Sequence, residues 1–498
     1  MCDTPRFMGG RAKRPSYAEL AAIVVELRAE VVQLKARIVE LEKKNPTQRL
    51  DESYSVKADE KRRQQEEEQK SGKSRLHGSH GDQQVSERRG RKPSHEKIDQ
   101  ANVHELVLPE GFSRSQCLPS IDRPVWRIRD GKAILVVYEI YRGPNGEQGS
   151  IDGVKPLTEF GLEIHVAVAF LVSIVGLSMD KVCSLLKFFW QLELSKSQAD
   201  TLLNQLSRHW TKEFDSLCQL LAVSAVVHTD ETSWSQNSVW AFLSEKSRVL
   251  IFGCRKDAST LAQILPKDSF TGVVVSDDAA VYQGFSLSQK CWAHLLRKAI
   301  RFTLLEPNNK EYDSFLKSLL SVYRKACKAS IDQRLKDSGR TVRVADLVDE
   351  LSELCVGRCG NANGVRKWNS ETEHEFDNLV HEVSRLMCNE ELFTFVLHPE
   401  VESTNNEAER SLRSAAQDRK TGRTTKTLRG AQRRTILVSV LESLKLHLAE
   451  FTLTSVQAEV ESWWKTGESL FSRLAKNCGL DPPTESRLNT LIPLPKPA

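Results

Sequence analysis

Leucine recurs every seven residues near the start of the chain, at Leu20, Leu27, Leu34 and Leu41, with Val24, Val31 and Ile38 at the second apolar position of each heptad. β-Branched residues at one seam position and leucine at the other favour a parallel two-stranded coiled coil, so residues 17–44 are expected to pair two copies of the chain. The competing reading is one amphipathic helix packed on its own domain, and three uninterrupted heptads speak against it. From 57 to 97 the pattern dissolves into Glu, Gln, Lys, Arg, Ser and Gly, which cannot build a core and reads as a disordered linker.

Strand-like runs follow over 101–150, such as Ala133-Ile134-Leu135-Val136-Val137-Tyr138, broken by the turn signal Gly143-Pro144-Asn145-Gly146. They predict a small β module. Residues 160–212 are helical in pattern, with one helix from Ser178, a second over Ser197 to Trp210, and a short break at Gln191 to Leu194. Such a pair fits a DNA-reading helix-turn-helix, but few basic residues near the start of the second helix favour plain helical packing.

Beyond residue 220 the period changes to that of strands. The apolar run Leu221 to Val227 predicts a strand ending at His228-Thr229-Asp230, followed by strands at Ser238 to Leu243 and Arg248 to Gly253. A short helix over Asp257 to Leu265 leads to a last strand, Gly272-Val273-Val274-Val275, which ends in Ser276-Asp277-Asp278. This β-β-β-α-β succession is the RNase H-like order, in which the first strand is central and the fourth lies beside it. The expected fold is therefore an α/β core over 220–304 and 396–450, a mixed sheet flanked by helices. An all-α insertion over 305–395 interrupts it and a helical tail over 451–498 closes the chain.

Composition adds bounds more than direction. At 498 residues with 40% apolar side chains the chain holds several domains, and a net charge of +5 argues only weakly for a polyanionic partner. Nothing at the N-terminus reads as a signal peptide, and the longest apolar stretch, Ile164 to Leu177, is interrupted by His165 and falls short of a bilayer span of about 20 residues. A cytoplasmic location without membrane contact is expected, and the 11 scattered cysteines fit reduced thiols. The basic piece Arg88-Arg89-Gly90-Arg91-Lys92-Pro93 is a solvated linker or an arm for an A·T-rich minor groove.

Two strands that each terminate in an aspartate bring Asp230 and Asp277 together, as hard oxygen ligands for Mg²⁺ or Mn²⁺. Two such ions about 3.5–4 Å apart serve in-line attack on a phosphodiester, and a later carboxylate would complete the set. Four glutamates compete for that place: Glu400, Glu402, Glu407 and Glu409. With a helix starting near Thr404, Glu400 and Glu402 precede it and Glu407 points some 200° away from Glu409, at about 100° per residue. Glu409 shares its face with Asn405 and Arg413, an arrangement suited to a metal and a phosphate together. The following stretch is basic, and Arg410, Arg413, Arg419, Lys420, Arg423, Lys426 and Arg429 are expected to grip DNA phosphates with Asn405. Cys291 and His294 have metal-like spacing but form only half a site, so a structural or DNA-positioning support is the expected role. His228 is expected to be packed in its strand.

The blocks HTDETSW at 228–234, SDDAAVY at 276–282, CWAHLLRK at 291–298 and NNEAERSLR at 405–413 resemble the signature of the insertion sequence 66 family of transposases over roughly residues 160–450. The resemblance implies an N-terminal leucine zipper, a DNA-binding region and a DDE core with a helical insertion, and Asp230, Asp277 and Glu409 match its three acids. It implies Mg²⁺-dependent cleavage at the ends of a mobile element and transfer of the freed 3′-hydroxyl into target DNA, at the nucleoid. Double-stranded DNA, a second copy of the chain and accessory proteins of the element are the implied partners. A structure-selective nuclease and a catalytically decayed repressor of the element are the alternatives. One departure stands out: the stretch that carries a four-cysteine zinc module in the family, about 101–150, holds only Cys117, so no zinc is expected there.

Overall fold

The computed structural model describes residues 98–493 apart from 102, 156–157, 236 and 360–369. The expected coiled coil (17–44) and linker (57–97) lie outside the described residues. The β module is a sheet of three strands, β1 (Val103–Val107), β2 (Leu118–Arg129) and β3 (Lys132–Arg142), in the order β1-β3-β2. β2 and β3 form a hairpin whose two-residue turn, Asp130-Gly131, takes positive φ at both positions, 49° and 73°. That is the turn whose twist matches paired strands, and it explains the Asp-Gly. Val125, Val136, Tyr138, Ile140, Ile151 and Val154 form the small core of this module.

The second sheet has five strands: β4 (Val226–Ser233), β5 (Ser238–Leu243), β6 (Arg248–Cys254), β7 (Val273–Ser276) and β8 (Ser288–Lys290). Their order is β6-β5-β4-β7-β8; β4, β5 and β6 pair antiparallel, while β7 runs parallel to β4 and β8 parallel to β7. The first strand is central and the fourth lies beside it, as the strand succession predicted. All residues of β5 and β7 are buried, because helices cover both faces.

Four helices precede this sheet: α1 (Leu162–Ser173), α2 (Met179–Trp190), α3 (Lys196–His209) and α4 (Thr211–Ala222). They join Val227, Trp240, Phe242, Val249, Ile251 and Val274 from one sheet face in the largest core. The apolar stretch beginning at Ile164 is α1, with Leu162 to Ala169 all buried; among the described residues no helix is long and apolar enough to cross a membrane. Ser178 and Ser195 cap α2 and α3 as expected, and α3 buries Ala199, Leu202, Leu203 and Leu206 while Arg433 holds its Asp200 and Asn204. Packing is thus what this helix does within the chain.

The strand expected from Leu221 begins instead at Val226. Phe214, Leu217, Cys218 and Leu221 are buried at helical spacing, so Leu221 and Ala222 complete α4 and the apolar run is shared between two elements. Downstream lie α5 (Ala258–Ile264) and α6 (Trp292–Leu305). The insertion follows as α7 (Lys310–Ile331), α8 (Asp337–Cys359), α9 (Glu371–Cys388) and the short α10 (Thr394–Leu397). With α6 they form a second core around Val273 and Val275. Then come α11 (Asn406–Lys420) and α12 (Leu428–His447). The last segments, α13 (Leu453–Thr466), α14 (Leu470–Asn477) and α15 (Leu488–Leu491), place Val460, Trp463, Phe471 and Leu491 in the largest core, so the expected tail is part of the folded body.

Helix α12 seals the sheet edge. Thr435, Ser439 and Ser443 stand one turn apart, and their hydroxyls accept from the N–H groups of Phe252, Leu250 and Arg248 on β6 at 3.0, 3.0 and 2.9 Å. Ser439 and Ser443 also donate to the carbonyls of Leu250 and Arg248. Four helical residues advance about 6 Å and two strand residues about 6.6 Å, so the two repeats keep step over three rungs. Backbone groups that would invite another strand are thereby satisfied within the chain.

Candidate active site

The site forms where the sheet opens. Parallel pairing of β4 with β7 stops at His228 opposite Val275, while β4 continues to Ser233 against β5. Asp230 therefore sits inside its strand, opposite Ala241, and not at the strand end expected from the sequence. Extending the parallel register by two residues sets Asp277, the first residue after β7, beside Asp230 on the same face. Asp230 accepts the N–H of Glu231 at 2.8 Å, and Asp277 that of Ala279 at 3.1 Å.

Glu409 approaches from α11, near enough to act on the charge of Asp230, although the oxygens of the three acids do not all lie within 4.8 Å of one another. Burial is the largest influence on Asp230, and it acts with the charges of Glu231, Asp277 and Glu409 against the Glu231 hydrogen bond to push the carboxyl up to about 7. The helix is anchored by Asn405, one residue before its start. The Asn405 amide donates to the Thr229 carbonyl at 2.8 Å, and its N–H to the Cys291 sulfur at 3.1 Å. Asn405 is fully buried. As placed it ties α11 to the residue before Asp230, in contrast to the DNA contact expected of it, because a side chain at the helix start so close to the sheet is enclosed by both.

Around the acids several cations are engaged. Arg297 bonds Glu409 at 2.8 Å, and the His294 ring lies 3.6 Å from the same oxygen. Glu407 turns to β6, where Arg248 holds it at 2.5 Å. Glu231 has an almost fully buried carboxylate that accepts from the Tyr282 hydroxyl and from Lys256 at 2.5 Å. That bond, with help from Asp277 and Asp230, raises the pKa of Lys256, whose side chain remains more than half exposed. The Tyr282 pKa is well above the usual phenol range, through burial first and then these same acids. Buried Lys290 bonds the Ser276 hydroxyl at 3.1 Å. Burial raises the Cys291 thiol pKa.

A cleft of about 710 Å³ runs from Asp277 and Asp278 past Cys291 and His294 to Asn378, His381, Glu382 and Arg385 of α9. The insertion thus walls the site: Arg385 bonds Asp278, and Glu382 bonds Lys298 at 2.6 Å. Sequence reasoning found neither contact, since nothing near Arg385 marks it and its partner is distant in the chain. Glu231 did carry a signal, its place next to Asp230. Lys256 carried none.

The basic stretch divides in two. Arg410, Arg413, Lys420, Arg423, Lys426 and Arg429 are exposed, Arg419 is half-buried with a bond to the Ser233 carbonyl, and Arg423 also donates to the Gly176 carbonyl at 2.6 Å. Arg434, at the end of the stretch, is instead half-buried over Trp234 and Phe252 and paired with Asp418.

Asp230, Asp277 and Glu409 carry oxygen donors of the kind Mg²⁺ or Mn²⁺ takes, and a cation among them would offset the burial and mutual repulsion that raise the Asp230 carboxyl. Their oxygens do not all lie within 4.8 Å of one another, so a shared ion would require the three side chains to draw closer. A family model, Transposase IS66 family, matches residues 160–433, more than half of the chain, which include the whole five-stranded sheet, Asp230, Asp277 and Glu409. No curated protein gives a match. The chain belongs to the IS66 family of transposases.

Proposed function

We propose that the chain is a DDE-type transposase with an RNase H-like core, in which Asp230, Asp277 and Glu409 hold two Mg²⁺ or Mn²⁺ ions for cleavage at element ends and strand transfer into target DNA. Membership of the family makes it a DNA-processing, DNA-binding enzyme of transposition. The observation that supports the finer reading is that Asp277, just after β7, and Glu409 of α11 both act on the charge of Asp230 in β4, whose carboxyl is pushed up to about 7 by burial first and these acids after it. The strand order β6-β5-β4-β7-β8 supports the core assignment.

Bound divalent ions would supply activation of an oxygen nucleophile and stabilisation of the departing 3′ oxygen. The chain's own side chains do the rest. Asn405 fixes the angle of α11 against β4, so that Glu409 stays in reach of the aspartates. Glu231, buried and held by Tyr282, clamps Lys256 beside the aspartates, where its exposed side chain meets a phosphate oxygen of the scissile strand. The exposed cations of α11 and the loop after it bind the DNA backbone and set its register. Water first attacks the phosphodiester at the element end; the freed 3′-hydroxyl then attacks a target phosphodiester. Both are in-line displacements at phosphorus, so one site serves both.

The test is the purified chain with labelled DNA carrying the element's ends and a target plasmid in Mg²⁺. Joined products support the reading. Cutting without joining would indicate a structure-selective nuclease, and binding without cutting a decayed repressor; either result overturns it.

A further inference from the structure

The start of α6 carries chemistry that phosphoryl transfer does not use. Cys291 caps the helix and His294 follows three residues later, so both face the same side of its first turn. The Cys291 sulfur, a His294 ring nitrogen and a Glu409 carboxylate oxygen all lie within 4.8 Å of one another, the one such trio among the described residues. We propose that Cys291, His294 and Glu409 form a site for a soft divalent cation of the zinc type, which shares Glu409 with the carboxylate site and silences it when filled.

Several observations meet here. Nδ1 of His294 is buried and has no hydrogen-bond partner, and at 3.6 Å from Glu409 it is too far for one. A buried imidazole nitrogen is thus left without a partner beside the trio. The Cys291 sulfur accepts the Asn405 N–H, a hydrogen bond that orients the sulfur as a metal ligand from outside the ligand shell. Zinc bonds of about 2.0–2.3 Å set tetrahedral ligands about 3.5 Å apart, so the trio must close by roughly 1 Å. His294 and Glu409 are both partly exposed, and a fourth ligand, water, has access from the cleft. Arg297 holds the Glu409 oxygen that faces His294, so the ion must compete with that bond or take the other oxygen.

A sulfur, nitrogen and oxygen set selects zinc over Mg²⁺, whereas Asp230 and Asp277 offer only hard oxygens. Glu409 cannot serve both. The binding claim stands on the three side chains alone; only the silencing rests on the proposed function.

Cobalt(II) is the probe, titrated into the metal-free full-length chain. A near-ultraviolet thiolate-to-cobalt absorption is expected, displaced by Zn²⁺ but not by equal Mg²⁺, lost in Cys291→Ser and weakened about tenfold or more in His294→Asn. Asp230→Asn should keep it, which separates this site from the catalytic reading. No absorption in the unsubstituted chain, or an unchanged titration in His294→Asn, overturns the proposal; the second variant decides the matter even if Cys291→Ser does not fold.

Discussion

Removing the charge of Asp230 should stabilise the metal-free protein at neutral pH. In the fold its carboxyl is raised from 3.8 to about 7, by burial and then by the neighbouring acids. Each unit is worth about 1.4 kcal/mol, so the ionised form is disfavoured by up to about 4 kcal/mol relative to the unfolded chain. Below pH 4 the group is protonated in both states and contributes nothing. Between pH 4 and about 7 the folded chain keeps a proton that the unfolded chain has lost, so stability falls as pH rises and levels off above about 7. Asp230→Asn keeps an acceptor for the Glu231 N–H and has no charge to lose. Thermal unfolding in EDTA should therefore show the variant and the unsubstituted chain converging near pH 4. At pH 8 the variant should be more stable by roughly 2–4 kcal/mol, allowing for partial solvation. Mg²⁺ should narrow that gap. Parallel profiles from pH 4 to 8 would refute the argument, since they would mean that the carboxyl does not feel its surroundings.

Replacing Leu27 and Leu34 by Asp should abolish self-association through residues 17–44, and sedimentation as the same oligomer would disprove that seam. Arg413→Ala with Lys420→Ala should weaken binding to any DNA sequence and flatten the log-log salt slope by up to about 0.9 per lost contact; an unchanged slope leaves them a solvated face. Lys256→Ala should slow strand cleavage by tenfold to a hundredfold, the worth of one charge-assisted contact of about 1.5–3 kcal/mol. Lys256→Arg should recover part of that rate, and a full rate in Lys256→Ala would remove the lysine from the reaction.

What was legible in the sequence was what local pattern encodes. Alternation and apolar runs located four strands of the five-stranded sheet but not the three-residue β8, and an aspartate after each of two apolar runs pointed to the site. Helical phase separated Glu409 from Glu407, which the structure places on different partners, Arg297 and Arg248. The run across Leu221 to Val227 misled because it has no polar break where α4 gives way to β4. Asn405 misled because an amide reads alike as ligand or cap, and only the proximity of the Thr229 carbonyl decides. Lys256, Tyr282 and Arg385 were illegible as site residues because their partners Glu231 and Asp278 come from other elements. Such pairs are products of tertiary packing and leave no period in the chain.

The account turns on which carboxylate completes the site, and two nearly isosteric substitutions decide it. Glu409→Gln and Glu407→Gln are compared for cleavage and joining of labelled element ends in Mg²⁺, with DNA binding measured alongside. Glu409 lies in the field of Asp230, whereas Glu407 is bonded to Arg248 on β6. Loss of both reactions in Glu409→Gln, with binding intact and most activity kept in Glu407→Gln, is the predicted result. Activity that survives Glu409→Gln but not Glu407→Gln would contradict the placement of the site.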